Sequence, residues 1–123
     1  MSEIGFMPLP SAGLRIATGI YVGGGEHGAD HPNTLTFPFA PKLVVISGAN
    51  SRDYTGQRIV VTLVYGETSL TWLGGYSGDV RWNTTDNISW GNKSVSWYSS
   101  DATYGVYNQL NTQGQPYYYV ALG

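Results

Sequence analysis

The chain has 123 residues, enough for one domain with a core of its own. It has no cysteine, which excludes disulfides and thiolate metal sites. Its 8 acidic and 6 basic residues provide no basic stripe for nucleic acid. Gly (17), Tyr (10) and Trp (4) are abundant and strong helix formers few, which points to an all-β chain.

Residues 1–13 read as an N-terminal arm or linker, extended by Pro8 and Pro10. They lack the basic start and unbroken apolar run of a secretion signal, and no stretch of the chain is long and apolar enough for a membrane span. Phe6, Met7 and Leu9 are apolar enough to dock on another protein. From residue 14 to 123 the chain reads as strands and turns. Arg15 to Val22 is a first strand closed by Gly23, Gly24 and Gly25, and residues 26–33 are a polar loop. Leu35, Phe37 and Phe39 share a face of the next strand, which Pro38 confines to a sheet edge. The apolar run from Lys42 to Ser47 suits a buried central strand.

After a polar loop over 48–56, Arg58 to Tyr65 forms another long strand, and Gly66 turns the chain into Ser69 to Leu73. Each tryptophan follows an aliphatic residue two places earlier: Leu70/Trp72, Val80/Trp82, Ile88/Trp90 and Val95/Trp97. In a strand each such pair shares one face. The last two pairs form a hairpin across residues 91–94. Tyr104 to Leu110 is expected to be a further strand, and Asn111 to Gln115 turns into the last one. There Tyr117, Tyr119 and Ala121 face one way, and Tyr118, Val120 and Leu122 the other. Such a strand is central, with one face on the core and the other on a core or a sister subunit. No segment has a helical period, so the expected fold is an antiparallel β-sandwich, with a jelly roll or small barrel as the alternative.

Two stretches carry a resemblance. One runs from Thr18 through Tyr21 and Gly25 to Pro32, Asn33, Phe37, Phe39, Pro41, Lys42 and Ile46; the other runs from Val95 and Trp97 through Asn108 to Tyr117, Tyr118, Tyr119, Val120, Ala121, Leu122 and Gly123. Together they resemble C-terminal receptor-binding and tail-fibre domains of phages and prophages of Gram-positive gut bacteria. The layout is also similar to the H-type lectin fold, an antiparallel sandwich that forms trimers and binds sugars. The resemblance implies a homotrimeric virion protein of tail or fibre, made in the host cytoplasm, that binds host-surface carbohydrate. It further implies contact with other virion proteins through residues 1–13 and a chain anchored from its N-terminal side. A small structural virion protein that decorates a capsid or caps a fibre, and a free H-type-like lectin, are the alternatives.

The segment from Tyr76 to Trp90 is the leading glycan candidate. Tyr76, Trp82 and Trp90 offer faces for sugar rings, and Asp79, Arg81, Asn83 and Asp86 offer hydrogen bonds for hydroxyls. The plainer reading makes the tryptophans core and the polar residues turn chemistry. A second loop with Arg52, Asp53 and Tyr54 has similar chemistry. His27 and His31, with Glu26 and Asp30, form a weak candidate for a divalent metal against the simpler reading of a polar loop. Tyr117, Tyr118 and Tyr119 are candidates for assembly. No nucleophile motif or framed carboxylate pair is present, so no cofactor and no catalysis are expected.

Overall fold

The computed structural model describes residues 13–49, 58–76, 79–85 and 87–123, with the backbone alone for 49, 58, 73–76 and 79–84. In chain order the elements are β1 (Ile16–Val22), β2 (Asn33–Thr36), β3 (Leu43–Ala49), β4 (Arg58–Val64), β5 (Leu70–Tyr76) and β6 (Asp79–Thr85). Then come β7 (Asn87–Trp90), β8 (Ser94–Tyr98), the single helical turn α1 (Gly105–Asn108) and β9 (Pro116–Leu122). A four-stranded sheet has the order β1-β9-β3-β4, a three-stranded sheet the order β2-β8-β7, and β5 and β6 form a hairpin. Every pairing is antiparallel, and the architecture is an all-β sandwich.

Strand β9 pairs on both edges, Tyr118 with Ile20 of β1 and with Ser47 of β3. Its alternation divides the four-stranded sheet into an inner and an outer face. The inner rows are Ala17, Ala121, Val44 and Leu63; Gly19, Tyr119, Ile46 and Val61; and Tyr21, Tyr117, Gly48 and Ile59. The glycines in these rows are needed by the rings. A Cβ on Gly19 would overlap the Tyr119 ring, and one on Gly48 would overlap that of Tyr117. From the opposite sheet Leu35, Ile88, Val95 and Trp97 complete the core, joined by Phe37 and Phe39. Burying a side chain such as Ile46 or Val95 contributes roughly 1.5–3 kcal/mol.

The outer rows run in step with the inner ones. One holds Ile16, Leu122, Leu43 and Val64; the next Thr18, Val120, Val45 and Thr62; the third Ile20, Tyr118, Ser47 and Val60. The three-stranded sheet turns a different surface outward. Its pairs there are Thr34 with Ser96, Thr36 with Ser94, and Ser89 with Ser96.

Two expectations change. Phe37 and Phe39 are buried together as their spacing suggested, but β2 ends at Thr36, and the phenylalanines sit on irregular chain around Pro38. Tyr104 to Leu110 is not a strand. Gly105–Asn108 makes one helical turn that closes with the two hydrogen bonds of a Schellman cap, Leu110 N–H to Tyr107 O and Asn111 N–H to Val106 O. Leu110 takes the left-handed position of that cap at φ 59°, where glycine or asparagine is usual. A single turn has too few residues to display a 3.6 period.

Tyr21 and Tyr117 stack at 5.0 Å between ring centroids. The Tyr21 hydroxyl donates to Leu110 O, and the Tyr117 hydroxyl accepts from Thr112 N–H. Burial pushes both phenols above their ordinary range, with the neighbouring Tyr117 adding to the rise at Tyr21. An unfolded tyrosine ionises near pH 10, and the folded pair holds its protons beyond that. The contribution of the pair is therefore intact below about pH 10 and is lost as pH rises further. Urea unfolding between about pH 8 and 12 is expected to show a plateau and then a steep fall in stability. Tyr21→Phe should flatten that fall while costing about 1 kcal/mol at neutral pH for the lost hydrogen bond. An alkaline limb of equal slope in the variant would show that other groups set it.

Candidate functional site

Two surfaces hold the chemistry of the described residues, one at each end of the sandwich. The first is built from the glycine-rich loop 23–33 and the segment 99–115. Gln109 lies between them, wholly buried, with all four hydrogen-bonding positions of its side-chain amide used. Its Oε1 accepts from the backbone N–H groups of Gly28 and Ser99, each at 3.0 Å. Its Nε2 donates to His31 O at 2.6 Å and to Asn33 Oδ1 at 3.2 Å. The Gln109 carbonyl in turn accepts from Trp97 Nε1 and Asn33 Nδ2. Asn111 extends the seam: its Oδ1 accepts from Gly24 N–H, and its Nδ2 donates to Glu26 O.

This network explains both histidines. His27 Nδ1 donates to Ser99 O at 3.0 Å, and its ring lies so close to Gly105 that a Cβ there would overlap it. His31 sits at the surface, 3.4 Å from Glu26. Each histidine thus has a structural partner, and no group of three or more His, Asp or Glu that could hold a metal ion occurs among the described residues.

The second surface lies at the opposite end, where Arg15 and Gly123 exchange backbone hydrogen bonds. Lys42 N–H bonds to Leu122 O and Tyr65 N–H to Lys42 O, which places the end of β4 beside that junction. Glu67 N–H closes a turn on Val64 O, with Gly66 at φ 96° in its third position, as a type II turn requires. The turn presents Tyr65, 58% exposed, against the half-buried Trp90 at a ring-centroid distance of 5.3 Å and an angle of 59°. Trp90 packs against the core, and its Nε1 donates to Glu67 O at 2.9 Å. The Glu67 carboxylate is exposed, and one oxygen accepts from Val64 N–H. The result is an aromatic pair held by the turn's backbone, with the Glu67 carboxylate on the same turn.

The structure divides the segment from Tyr76 to Trp90. Trp90 lies at the Tyr65 end. The β5–β6 register sets Tyr76 against Asp79, Gly74 against Arg81, Leu73 against Trp82 and Trp72 against Asn83. Its tip is six strand residues, about 20 Å, beyond Leu70. One sugar ring cannot touch both Trp90 and that tip. Trp72 is core, as its neighbours suggested. Arg52, Asp53, Tyr54 and Asp86 lie outside the described residues. Of the three assembly candidates, Tyr118 alone faces outward. Tyr117 is buried, and Tyr119 packs half-buried against the core edge-on to Phe37. Tyr65 and Glu67 went unrecognised in the sequence, where Gly66 signalled the turn but not its contact with Trp90.

No family model, no curated protein and no solved structure matches the chain.

The Gln109 network yields a measurable expectation. Gln109→Leu leaves the Gly28 and Ser99 N–H groups buried without an acceptor. It is expected to cost about 3 kcal/mol or more in urea unfolding. Hydrogen exchange in residues 24–33 should accelerate in parallel. A loss below about 1 kcal/mol would show that the loop holds without this amide.

Proposed function

We propose that the chain is a non-catalytic recognition module of a phage or prophage virion that binds a host-surface glycan without covalent chemistry. One observation carries the sugar part: the Tyr65–Trp90 pair on a turn that also carries the exposed Glu67 carboxylate. Aromatic faces suit the C–H faces of pyranose rings, and a carboxylate orients hydroxyl groups. Trp90 is held by the core and by its bond to Glu67 O, so the platform is ordered before a ligand arrives. Preorganisation of this kind lowers the entropic cost of binding. The virion placement rests on the resemblance of the Tyr117–Gly123 and Thr18–Ile46 segments. Single-site binding of this type is weak, and several copies on one particle raise it through effective concentration.

A second reading, a structural virion protein with no host ligand, is favoured by the apolar outer face of the four-stranded sheet. The two readings part on a glycan array. Under the first, the wild-type protein retains a defined set of glycans, and Tyr65→Ala weakens them about three- to tenfold, as expected for one lost ring contact. Because Tyr65 is exposed, the thermal midpoint of that variant should stay within a few degrees of wild type. An array on which the wild type retains nothing would favour the structural reading, and retention unchanged by Tyr65→Ala would overturn the Tyr65–Trp90 pair as the sugar site.

A further inference from the structure

We infer that the outer face of the four-stranded sheet is where copies of this chain pack on one another. This deepens the multivalent part of the proposed function. It relies on that reading only for the expectation that several copies act together, since the surface itself is argued from the sheet.

Along the outer rows, β-structure alone would tolerate threonine, serine or lysine at every position. The neighbouring sheet follows that pattern, with Thr34, Thr36, Ser89, Ser94 and Ser96 outward. The four-stranded sheet does not. Ile16, Ile20 and Val22 are 56–62% exposed on β1, Tyr118 and Val120 are 48% and 40% exposed on β9, and Val60 is 65% exposed on β4. Val64 adds a further exposed aliphatic, and Leu43, Val45 and Leu122 fill the spaces between them half-buried. The three rows that begin with Ile16, Thr18 and Ile20 hold no charged residue; the next, which begins with Val22, ends on Arg58 of β4.

The exposed residues of this face leave on the order of 700 Å² accessible, backbone and the Tyr118 hydroxyl included, judged from their fractional exposures. That is above what a monomer ordinarily shows and near the roughly 800 Å² that one partner contributes to a standard interface. Polar groups on this face are few: Thr18, Thr62, Ser47 and the Tyr118 hydroxyl, with Arg58 at the β4 end of the Val22 row. The face complements a copy of itself, sheet against sheet at about 10 Å. The alternative occupant within the chain is residues 1–12. Their large apolar side chains are Met1, Ile4, Phe6, Met7 and Leu9, and removing them is one arm of the test below.

The test is the solution mass of the full chain by sedimentation and light scattering, with Val120→Lys and Val60→Lys alongside. Both substitutions lie on the outer face, one on the central strand β9 and one on the edge strand β4. The expected result is a dimeric wild type, with either lysine variant monomeric and still unfolding cooperatively. If Val120→Lys fails to fold, Val60→Lys on the sheet edge gives the same comparison. A wild type that stays monomeric at about 100 µM overturns the inference, since a standard interface holds well below that concentration. So does association that survives both lysines, or association that begins only when residues 1–12 are removed. Failure of the sugar reading is separable. Tyr65→Ala changes glycan retention without changing mass. A monomeric lysine variant instead loses roughly a hundredfold in retention on a dense array, with single-site affinity in solution unchanged.

Discussion

The sandwich depends on β9 lying between β1 and β3. That strand takes backbone hydrogen bonds on both edges, so the four-stranded sheet has no continuous ladder without it. Because side chains alternate across a strand, a slip of one residue would exchange the two sets of β9. Tyr117 and Ala121 would move into solvent, and Tyr118 and Val120 into a core shaped for other rings. The glycines fix the register further. Gly48 and Gly19 leave room under the rings of Tyr117 and Tyr119, and no neighbouring position in the inner rows does so. These contacts join residues far apart in the chain, so forming the sheet carries the closure entropy of long loops.

At the far end the same economy of contacts operates through polar groups. Loop 23–33 has little apolar content to bury, and its backbone groups must be satisfied by something other than a ladder. The buried amide of Gln109 supplies two acceptor and two donor contacts at once, and Asn111 supplies more along the seam. Placing Gln109 there requires the chain to reverse sharply after α1, and Leu110 accepts a left-handed conformation to do it. That conformation costs on the order of 1 kcal/mol for a residue with a Cβ. It persists because the Leu110 side chain is buried and its carbonyl accepts from both Tyr21 and Asn33.

Much of the sheet was legible because alternation is a local signal. Ile88/Trp90 and Val95/Trp97 mark a hairpin that forms as read, and the apolar run at residues 43–46 becomes a central strand. The two-faced pattern of Tyr117 to Leu122 also holds, down to which residues share a side. What stayed hidden was long-range. Nothing near Gln109 in sequence signals that its amide will meet Gly28, His31 and Asn33 more than seventy residues away. Tyr65 and Trp90 are brought together by the same kind of tertiary closure, whereas Tyr76 and Trp90, grouped by proximity in the chain, are drawn apart by a hairpin. Composition identified aromatic and acidic residues of the right chemistry, but only the fold decides which of them share a surface.

The two proposed surfaces are geometrically linked. Val64 belongs to the outer row with Ile16, Leu122 and Leu43, and Tyr65 follows it directly. The aromatic platform therefore borders the apolar face, at the end where β1 begins and β9 finishes. Copies packed through that face with their strands in the same direction would bring their platforms to a shared rim. The Gln109 end stays remote, and its hydrogen bonds are already used internally. A weak sugar contact at such a rim gains from every added copy, because linked sites raise effective concentration without a new contact. Under the proposed function, the apolar face and the modest aromatic platform have one joint rationale: association would supply the affinity that a single tyrosine–tryptophan pair lacks.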